Sequence, residues 1–272
     1  METSSVNISL FMSAARPKWW ERMYESLQGN KCSYEIVAVG PNKPKWKLPS
    51  NFRFYECHFK PATCYAAASY FCKGEIIGYS TDDSQYNSYS LDKIWEIYQW
   101  TKGKPGKYIF SQRTIENGKD VTEEHHFFRH CKDTPVMCPM AFMNREWFFN
   151  LGGIDRNFIC GQYENLWVCD ALADGGEIIN VPESRVYLNH DQVHGGIWNK
   201  IKYKFGKKTF RNGYCCDRRY LEECYVEEGF GTYDENTLKH GTVSAKRLLP
   251  HHPYNYSNIL TVPQGEQGDW KK

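Results

Sequence analysis

The stretch IIGYSTDDSQY, residues 76–86, joins a short apolar segment to two adjacent carboxylates. Neighbouring carboxylates repel each other, and burying even one is costly unless a cation or hydrogen bonds compensate its charge. A hard cation such as Mg²⁺ or Mn²⁺ prefers one or two carboxylates, with substrate phosphates among its other ligands. Two interpretations follow: either Asp82 and Asp83 hold a metal ion, or Asp82 caps an ordinary turn.

Apolar and amphipathic segments alternate along the chain, which is the pattern of βαβ units around a parallel sheet. The predicted strands cover residues 6–12, 34–39, 52–57, 75–79, 107–112, 178–187 and the start of 141–150. The predicted helices follow Pro17 and cover residues 63–72, 91–100, 164–172 and the end of 141–150, and a loop or lid is predicted over 115–134. The two acids therefore lie at the carboxyl end of a strand, where ligands gather in open parallel sheets.

The composition is that of an ordinary globular protein. Of the 272 residues, 41% are hydrophobic and 24% are charged, which excludes a largely disordered chain. The formal net charge of +2 gives the molecule as a whole no strong affinity for polyanions. No secretory signal, no apolar run of about 20 residues and no C-x-x-C pair are visible. We expect a cytoplasmic protein with reduced thiols and no transmembrane segment.

The last third of the chain has a different character. Residues 200–219 carry eight Lys or Arg, one acid and interleaved aromatic rings. We therefore expect one domain over residues 1–195 and a basic C-terminal extension over residues 196–272 that packs on it. The basic segment could cover a diphosphate, contact nucleic acid, lie on a membrane or simply be a solvated face.

Three segments carry a resemblance to a known family. They read SAARPKWWERMYESL followed by YEIVAVG, then CKGEIIGYSTDD, then REWFFNLGGIDRNFICGQYEN. In this order they resemble the GT-A glycosyltransferases, particularly the large family-2 type, over about residues 6–195. The resemblance implies an α/β fold with a Rossmann-like, mostly parallel central sheet flanked by helices. It also implies a metal-dependent enzyme that uses a nucleotide sugar, with Mn²⁺ or Mg²⁺ as cofactor.

The resemblance assigns a donor site. Asp83 matches the last Asp of the family's D-x-D motif, which reaches the metal, and Asp82 matches the middle position, which faces the ribose or a metal-bound water. Thr81 stands where the family has its first Asp. Ser13 and Arg16 follow the first predicted strand and would meet the nucleotide, although Arg16 could equally be a solvated residue at a helix start.

The family also completes its metal shell and sometimes holds the nucleobase with other residues. His190 or His194 would add a neutral imidazole, which is a suitable Mn²⁺ ligand, or either could be purely structural. The chain departs from the family at two places: Gly40-Pro41 replace an Asp after the second strand, and Tyr65-Ala66 replace an Arg-Asn pair.

The acceptor side of the reaction is assigned by the same resemblance. The family supplies its general base as the Asp of a Glu-Asp pair, and this chain has Glu164-Asn165. Asn cannot usefully accept a proton, so Glu164 is the candidate base, unless it only binds the acceptor. Asn165 and the preceding Gly152, Gly153 and Asp155 are expected to contact the acceptor.

We therefore expect transfer of a hexose, glucose from UDP-glucose, to an acceptor hydroxyl, with inversion preferred. Some small virus-encoded members of this fold modify hydroxymethylated bases, or the sugars on them, in phage DNA. Lys204, Lys207 and Arg211 would then contact the acceptor, because cations attract phosphates and rings stack on bases. The alternatives are a surface polysaccharide or lipid-linked glycan as acceptor, a nucleotidyltransferase, and a degenerate module that binds carbohydrate or nucleic acid.

Overall fold

The computed structural model describes residues 6–57, 61–122, 140–155 and 163–188. The described strands are β1 (Ile8–Ser13), β2 (Tyr34–Gly40), β3 (Phe52–Glu56), β4 (Ile76–Tyr79), β5 (Ser84–Tyr86), β6 (Lys107–Glu116), β7 (Lys119–Asp120), β8 (Ala141–Asn144) and β9 (Gly176–Leu188). The described helices are α1 (Trp20–Ser26), α2 (Pro61–Tyr70), α3 (Ser90–Thr101), α4 (Arg145–Asn150) and α5 (Tyr163–Ala173), with a 3-10 turn at Pro17–Trp19 before α1. The predicted extension, 196–272, lies outside the described residues, so the predicted domain division stays a prediction.

The strands form one twisted sheet in the order β3-β2-β1-β4-β8-β6-β9-β5, with β7 paired to β6. Strands β1, β2, β3, β4, β6 and β9 run in one direction, whereas β5, β7 and β8 run against them. The predicted α/β fold with a mostly parallel, helix-flanked sheet is confirmed. No described helix combines the length and the apolar character that a membrane span requires.

The central strands are almost completely buried, which explains their apolar sequences. Every residue of β2 after Tyr34 is buried, and so are all of β4 and the first five residues of β1. Strands covered on both faces lose the polar alternation of a surface strand. Helix α2 is buried from Ala62 to Ser69 and packs on β1 and β2, because its small side chains allow a close approach.

Two parts of the sequence form strands where none was predicted. The prediction of a loop from residue 115 is wrong for its first part, because β6 continues to Glu116 and turns back into β7. Asn117 and Gly118 make this turn with φ of 49° and 84°, the left-handed conformations that a tight hairpin needs. The second unpredicted strand is β5, which follows Asp83 directly and pairs with the end of β9.

The buried carboxylate of Glu35 joins three strands near the amino ends of β1, β2 and β3. Glu35 of β2, only 5% exposed, accepts hydrogen bonds from Ser9 Oγ at 2.6 Å and from the Lys73 backbone N–H at 2.6 Å. Arg53 Nη2 of β3 donates to Glu35 at 2.7 Å and also to the Phe71 carbonyl at 2.6 Å. The network therefore ties β1, β2, β3 and the turn before β4 together.

We expect Glu35→Ala to lower the free energy of unfolding by about 3 kcal/mol or more, because it leaves the largely buried Arg53 without its anion. Urea unfolding at neutral pH measures the change. Glu25→Ala, at an exposed position of α1, is the matched control and should change stability by less than about 0.5 kcal/mol. Equal unfolding midpoints for the two variants would contradict the assignment of a structural role to this network.

Candidate active site

The two adjacent acids lie in the turn between β4 and β5, and Asp82 is held there by the loop that follows β1. Its Oδ2 accepts the backbone N–H groups of Ala15 at 2.9 Å and Arg16 at 2.6 Å. Its Oδ1 accepts Arg16 Nε at 2.8 Å and Arg16 Nη2 as well. Asp82 is 2% exposed, so these bonds replace the hydration that its charge loses. The carboxylate thus joins the ends of two neighbouring parallel strands, β1 and β4.

Arg16 extends from Asp82 to Asp83. Its Nη1 lies 3.3 Å from Asp83 Oδ2, and both oxygens of Asp83 are shielded from solvent. Burial opposes the charge of Arg16, but the negative charges of Asp82 and Asp83 outweigh it and raise the pKa of Arg16 above its ordinary value. Arg16 also stands at the start of the 3-10 turn, so its position is the predicted helix start, but its side chain contacts the acidic pair. A contact with the nucleotide stays a prediction.

The turn itself is closed by hydroxyl groups. Thr81 Oγ1 and Ser84 Oγ lie 2.7 Å apart, and the Ser84 backbone N–H donates to the Thr81 carbonyl at 3.2 Å. Ser80 Oγ and Tyr86 OH lie 2.6 Å apart beneath them. Burial raises the pKa of Tyr86 to about 12, so it remains a neutral partner. Thr81, which stands where the family has an Asp, therefore shapes the turn in this chain.

Three buried tyrosines connect the acidic pair with Glu164. Tyr65 of α2 stacks on Tyr79 of β4 with ring centroids 4.8 Å apart, and Tyr163 of α5 lies 4.9 Å from Tyr65. Tyr65 OH donates to the Ser80 carbonyl at 3.0 Å. Burial raises the pKa of Tyr65 well above its ordinary value, and Tyr79, Asp82 and Glu164 raise it further. Asp82 and Glu164 therefore both lie close enough to Tyr65 to act on this one phenol.

The other predicted acceptor residues lie around helices α4 and α5. Gly152 and Gly153, with φ of 99° and 70°, donate to the Phe149 and Phe148 carbonyls at 2.9 Å each. This is the glycine cap that ends a helix, so the structure gives the pair a local role. Asp155, 2% exposed, follows it. Glu164 and Asn165 stand in the first turn of α5. An acceptor contact by any of these residues stays a prediction.

The end of β2 contributes two residues that the sequence reasoning missed. A Cβ on Gly40 would lie 2.0 Å from the Ala14 carbonyl oxygen, so only glycine fits this close approach. Asn42 Nδ2 donates to the Ala15 carbonyl at 2.7 Å. The Gly-Pro sequence indicates a tight turn but not its contact with the loop after β1. Ser13 ends β1 beside this loop, half-buried.

The residues present fit a divalent metal that is shared with a substrate. No cluster of three or more His, Cys, Asp or Glu side chains with metal-binding geometry occurs among the described residues. Asp83 supplies a carboxylate, which suits an ion that takes one or two carboxylates and the phosphates of its substrate. The predicted ligands His190 and His194, and the predicted acceptor contacts Lys204, Lys207 and Arg211, lie outside the described residues.

The buried tyrosines make stability sensitive to high pH. An unfolded tyrosine ionises near pH 10, whereas the pKa of Tyr65 and of Tyr79 is raised well above that value, chiefly by burial. The folded state therefore retains protons that the unfolded state loses, and the free energy of unfolding should fall as pH rises above about 10. Urea unfolding at about pH 9 and about pH 11 measures this fall.

Tyr65→Phe should reduce the loss of unfolding free energy at high pH. It should also lower the free energy of unfolding at neutral pH by about 1 kcal/mol, because the hydrogen bond to the Ser80 carbonyl is lost. Tyr89→Phe, at a side chain that is 49% exposed, is the control and should change neither quantity. A wild-type stability that is constant across this pH range would contradict the assignment of buried, neutral phenols.

Known proteins share this fold at low sequence identity. No protein-family model and no curated protein sequence matches the chain. Among solved structures, S. aureus TarS matches with a TM-score of 0.54 at 11% identity, over 68% of this chain and 37% of that chain. TarS 1-349 in complex with UDP-GlcNAc gives 0.51 at 10% identity, over 68% and 58%. GalNAc-T7 with UDP, GalNAc and Mn²⁺ gives 0.51 at 14% identity, over 70% and 44%.

This chain thus spans less than two thirds of the length of each of these proteins. They are GT-A glycosyltransferases, so the fold that the sequence resemblance implied is confirmed. The described part of the chain has the GT-A fold.

Proposed function

We propose that this protein is a metal-dependent glycosyltransferase that moves a hexose from a nucleotide sugar, UDP-glucose in the first instance, to an acceptor hydroxyl. The observation that carries the proposal is the acidic corner after β4, where Asp82 and Asp83 meet Arg16, while Glu164 follows Tyr163, a member of the adjoining tyrosine cluster. Such a site offers a place for a leaving diphosphate beside a candidate base. The UDP and UDP-GlcNAc complexes of proteins with this fold support UDP as the nucleotide of the donor.

The donor half of the site has to stabilise the negative charge that grows on the leaving diphosphate. Asp83 would hold Mn²⁺ or Mg²⁺ here, and the bound ion would supply Lewis-acid stabilisation of that charge. Asp82 holds the loop after β1 through Ala15 and Arg16, and Ser13 and Arg16 would meet the nucleotide there. Thr81 maintains the turn that presents Asp83.

The acceptor half has to remove a proton from the attacking hydroxyl. Glu164, in the first turn of α5, would be the base. Its neighbours Tyr65 and Tyr79 remain neutral, so they offer no proton-accepting alternative near neutral pH. Direct attack assisted by one base gives inversion at the anomeric carbon, which is the stereochemistry we propose.

For the acceptor we propose a sugar or a hydroxymethylated base on DNA. The support is in the sequence, where cations and aromatic rings alternate over residues 200–219, including Lys204, Lys207 and Arg211. A surface polysaccharide or a lipid-linked glycan is the second candidate, because the same cations would meet an anionic lipid surface.

Release of the nucleoside diphosphate from a panel of nucleotide sugars with Mn²⁺ tests the reaction. We expect turnover of UDP-glucose, and we expect Glu164→Gln to lower kcat by about 10²- to 10⁴-fold with little effect on folding, because the amide cannot accept the proton. Asp83→Asn should abolish the metal dependence together with most of the turnover. The control is Glu146→Gln, an exposed carboxylate at the start of α4, which should retain wild-type turnover.

Release of pyrophosphate from nucleoside triphosphates would instead identify a nucleotidyltransferase. Binding of donor or acceptor without any turnover, by a wild-type protein that is folded, would identify a binding module and contradict the proposal.

Salt dependence tests whether the acceptor is DNA rather than a neutral glycan. If DNA is the acceptor, its apparent affinity should fall by about ten-fold or more between about 50 and 200 mM salt, because each bound phosphate releases counterions. Turnover with hydroxymethylated DNA and with a neutral oligosaccharide, measured at both salt concentrations, checks this expectation. An acceptor KM that does not change with salt would exclude nucleic acid as the substrate.

A further inference from the structure

The contact between Arg16 and Asp83 places a fixed positive charge where the proposed function requires a metal ion. Arg16 is anchored, because its backbone N–H, Nε and Nη2 all bind Asp82. Its remaining Nη1 lies 3.3 Å from Asp83 Oδ2. The guanidinium is planar and always charged, so it cannot avoid a cation at Asp83 by losing its proton.

We propose that Arg16 couples the two ligands of the site, so that a divalent metal binds well only together with a nucleoside diphosphate. This inference rests on the proposed function and adds to it how the two donor-site ligands depend on each other. The side chains of Asp82, Asp83 and Arg16 together carry one negative charge, which a divalent ion would over-compensate. Like charges at short range in a shielded site repel strongly. A diphosphate restores the balance, because its oxygens can bind the metal and face Arg16 at the same time.

The coupling acts in both directions, as it must for any pair of linked equilibria. The metal should raise the affinity for UDP by the same factor by which UDP raises the affinity for the metal. Arg16 is therefore a positioning residue whose charge excludes the bare ion and favours the ion that arrives with its substrate. A protein of this kind would take up little Mn²⁺ or Mg²⁺ in the absence of nucleotide.

The alternative is that Arg16 serves only to hold the loop after β1. Two substitutions separate the possibilities, because the backbone bonds from Ala15 and Arg16 to Asp82 remain in both. Arg16→Gln removes the charge. Arg16→Lys keeps the charge but loses the two-pronged contact with Asp82. If charge is what matters, Arg16→Lys should resemble the wild type in its affinity for bare metal, and Arg16→Gln should not.

The experiment is a titration of the full chain with Mn²⁺, in which electron paramagnetic resonance measures the free ion, without and with saturating UDP. In the wild type we expect UDP to tighten Mn²⁺ binding by about ten-fold or more, within the usual range of coupling between sites. In Arg16→Gln we expect bare Mn²⁺ to bind about ten-fold more tightly than in the wild type, and the effect of UDP to shrink accordingly. Binding of UDP without metal should weaken in the same variant.

Arg113→Gln is the matched control, because Arg113 pairs with Asp120 in the β6–β7 hairpin. It should leave all of these affinities unchanged. Circular dichroism and the unfolding midpoint establish that each variant is folded. A folded Arg16→Gln protein with wild-type affinity for bare Mn²⁺ would overturn the inference.

Measurements on the wild-type protein alone also test the coupling. Equal Mn²⁺ affinity with and without UDP, while both ligands bind, would overturn the coupling and leave the proposed function standing. A wild type that binds neither Mn²⁺ nor UDP would remove the proposed function together with the inference.

Discussion

The candidate site depends on the hydrogen bonds that hold Asp82 to the loop after β1. A carboxylate that is almost completely buried is tolerable only because two backbone N–H groups and the Arg16 guanidinium surround it. The same bonds set the distance between the ends of β1 and β4, and they fix the direction in which Arg16 and Asp83 point. Gly40 reinforces the arrangement from the other side, because its backbone touches Ala14 where any side chain would collide.

The electrostatic design of the site follows from what surrounds the carboxylates. Asp82, Asp83 and Arg16 form a charged group. The phenols of Tyr65 and Tyr79, which lie near this group and near Glu164, are kept neutral by burial. Tyr65, which the sequence resemblance aligns with an Arg of the family, is a neutral stacked ring here. Arg16 therefore supplies a positive charge that contacts both acids.

The sequence predicted the central architecture well, because burial on both faces gives β1, β2 and β4 continuous apolar sequences. The position of Asp82 and Asp83 at a strand end was also accessible, since strand and turn are both local patterns. The partner of Asp82 was not, because the bonds from Ala15 and Arg16 span 67 and 66 residues. β5 was missed for the same reason: three polar residues become a strand only because β9 lies beside them.

That pairing also bears on how the molecule is made. Asn87 bonds to the backbone at Glu183 and Arg185, 96 and 98 residues away, beside the ladder between β5 and β9. Closing so large a loop is slow, and the ribosome must deliver the whole span before it can begin. The N-terminal strands can assemble early around a corner that is still open on one side. The strand that follows the acidic turn can therefore find its partner only after β9 has been synthesised.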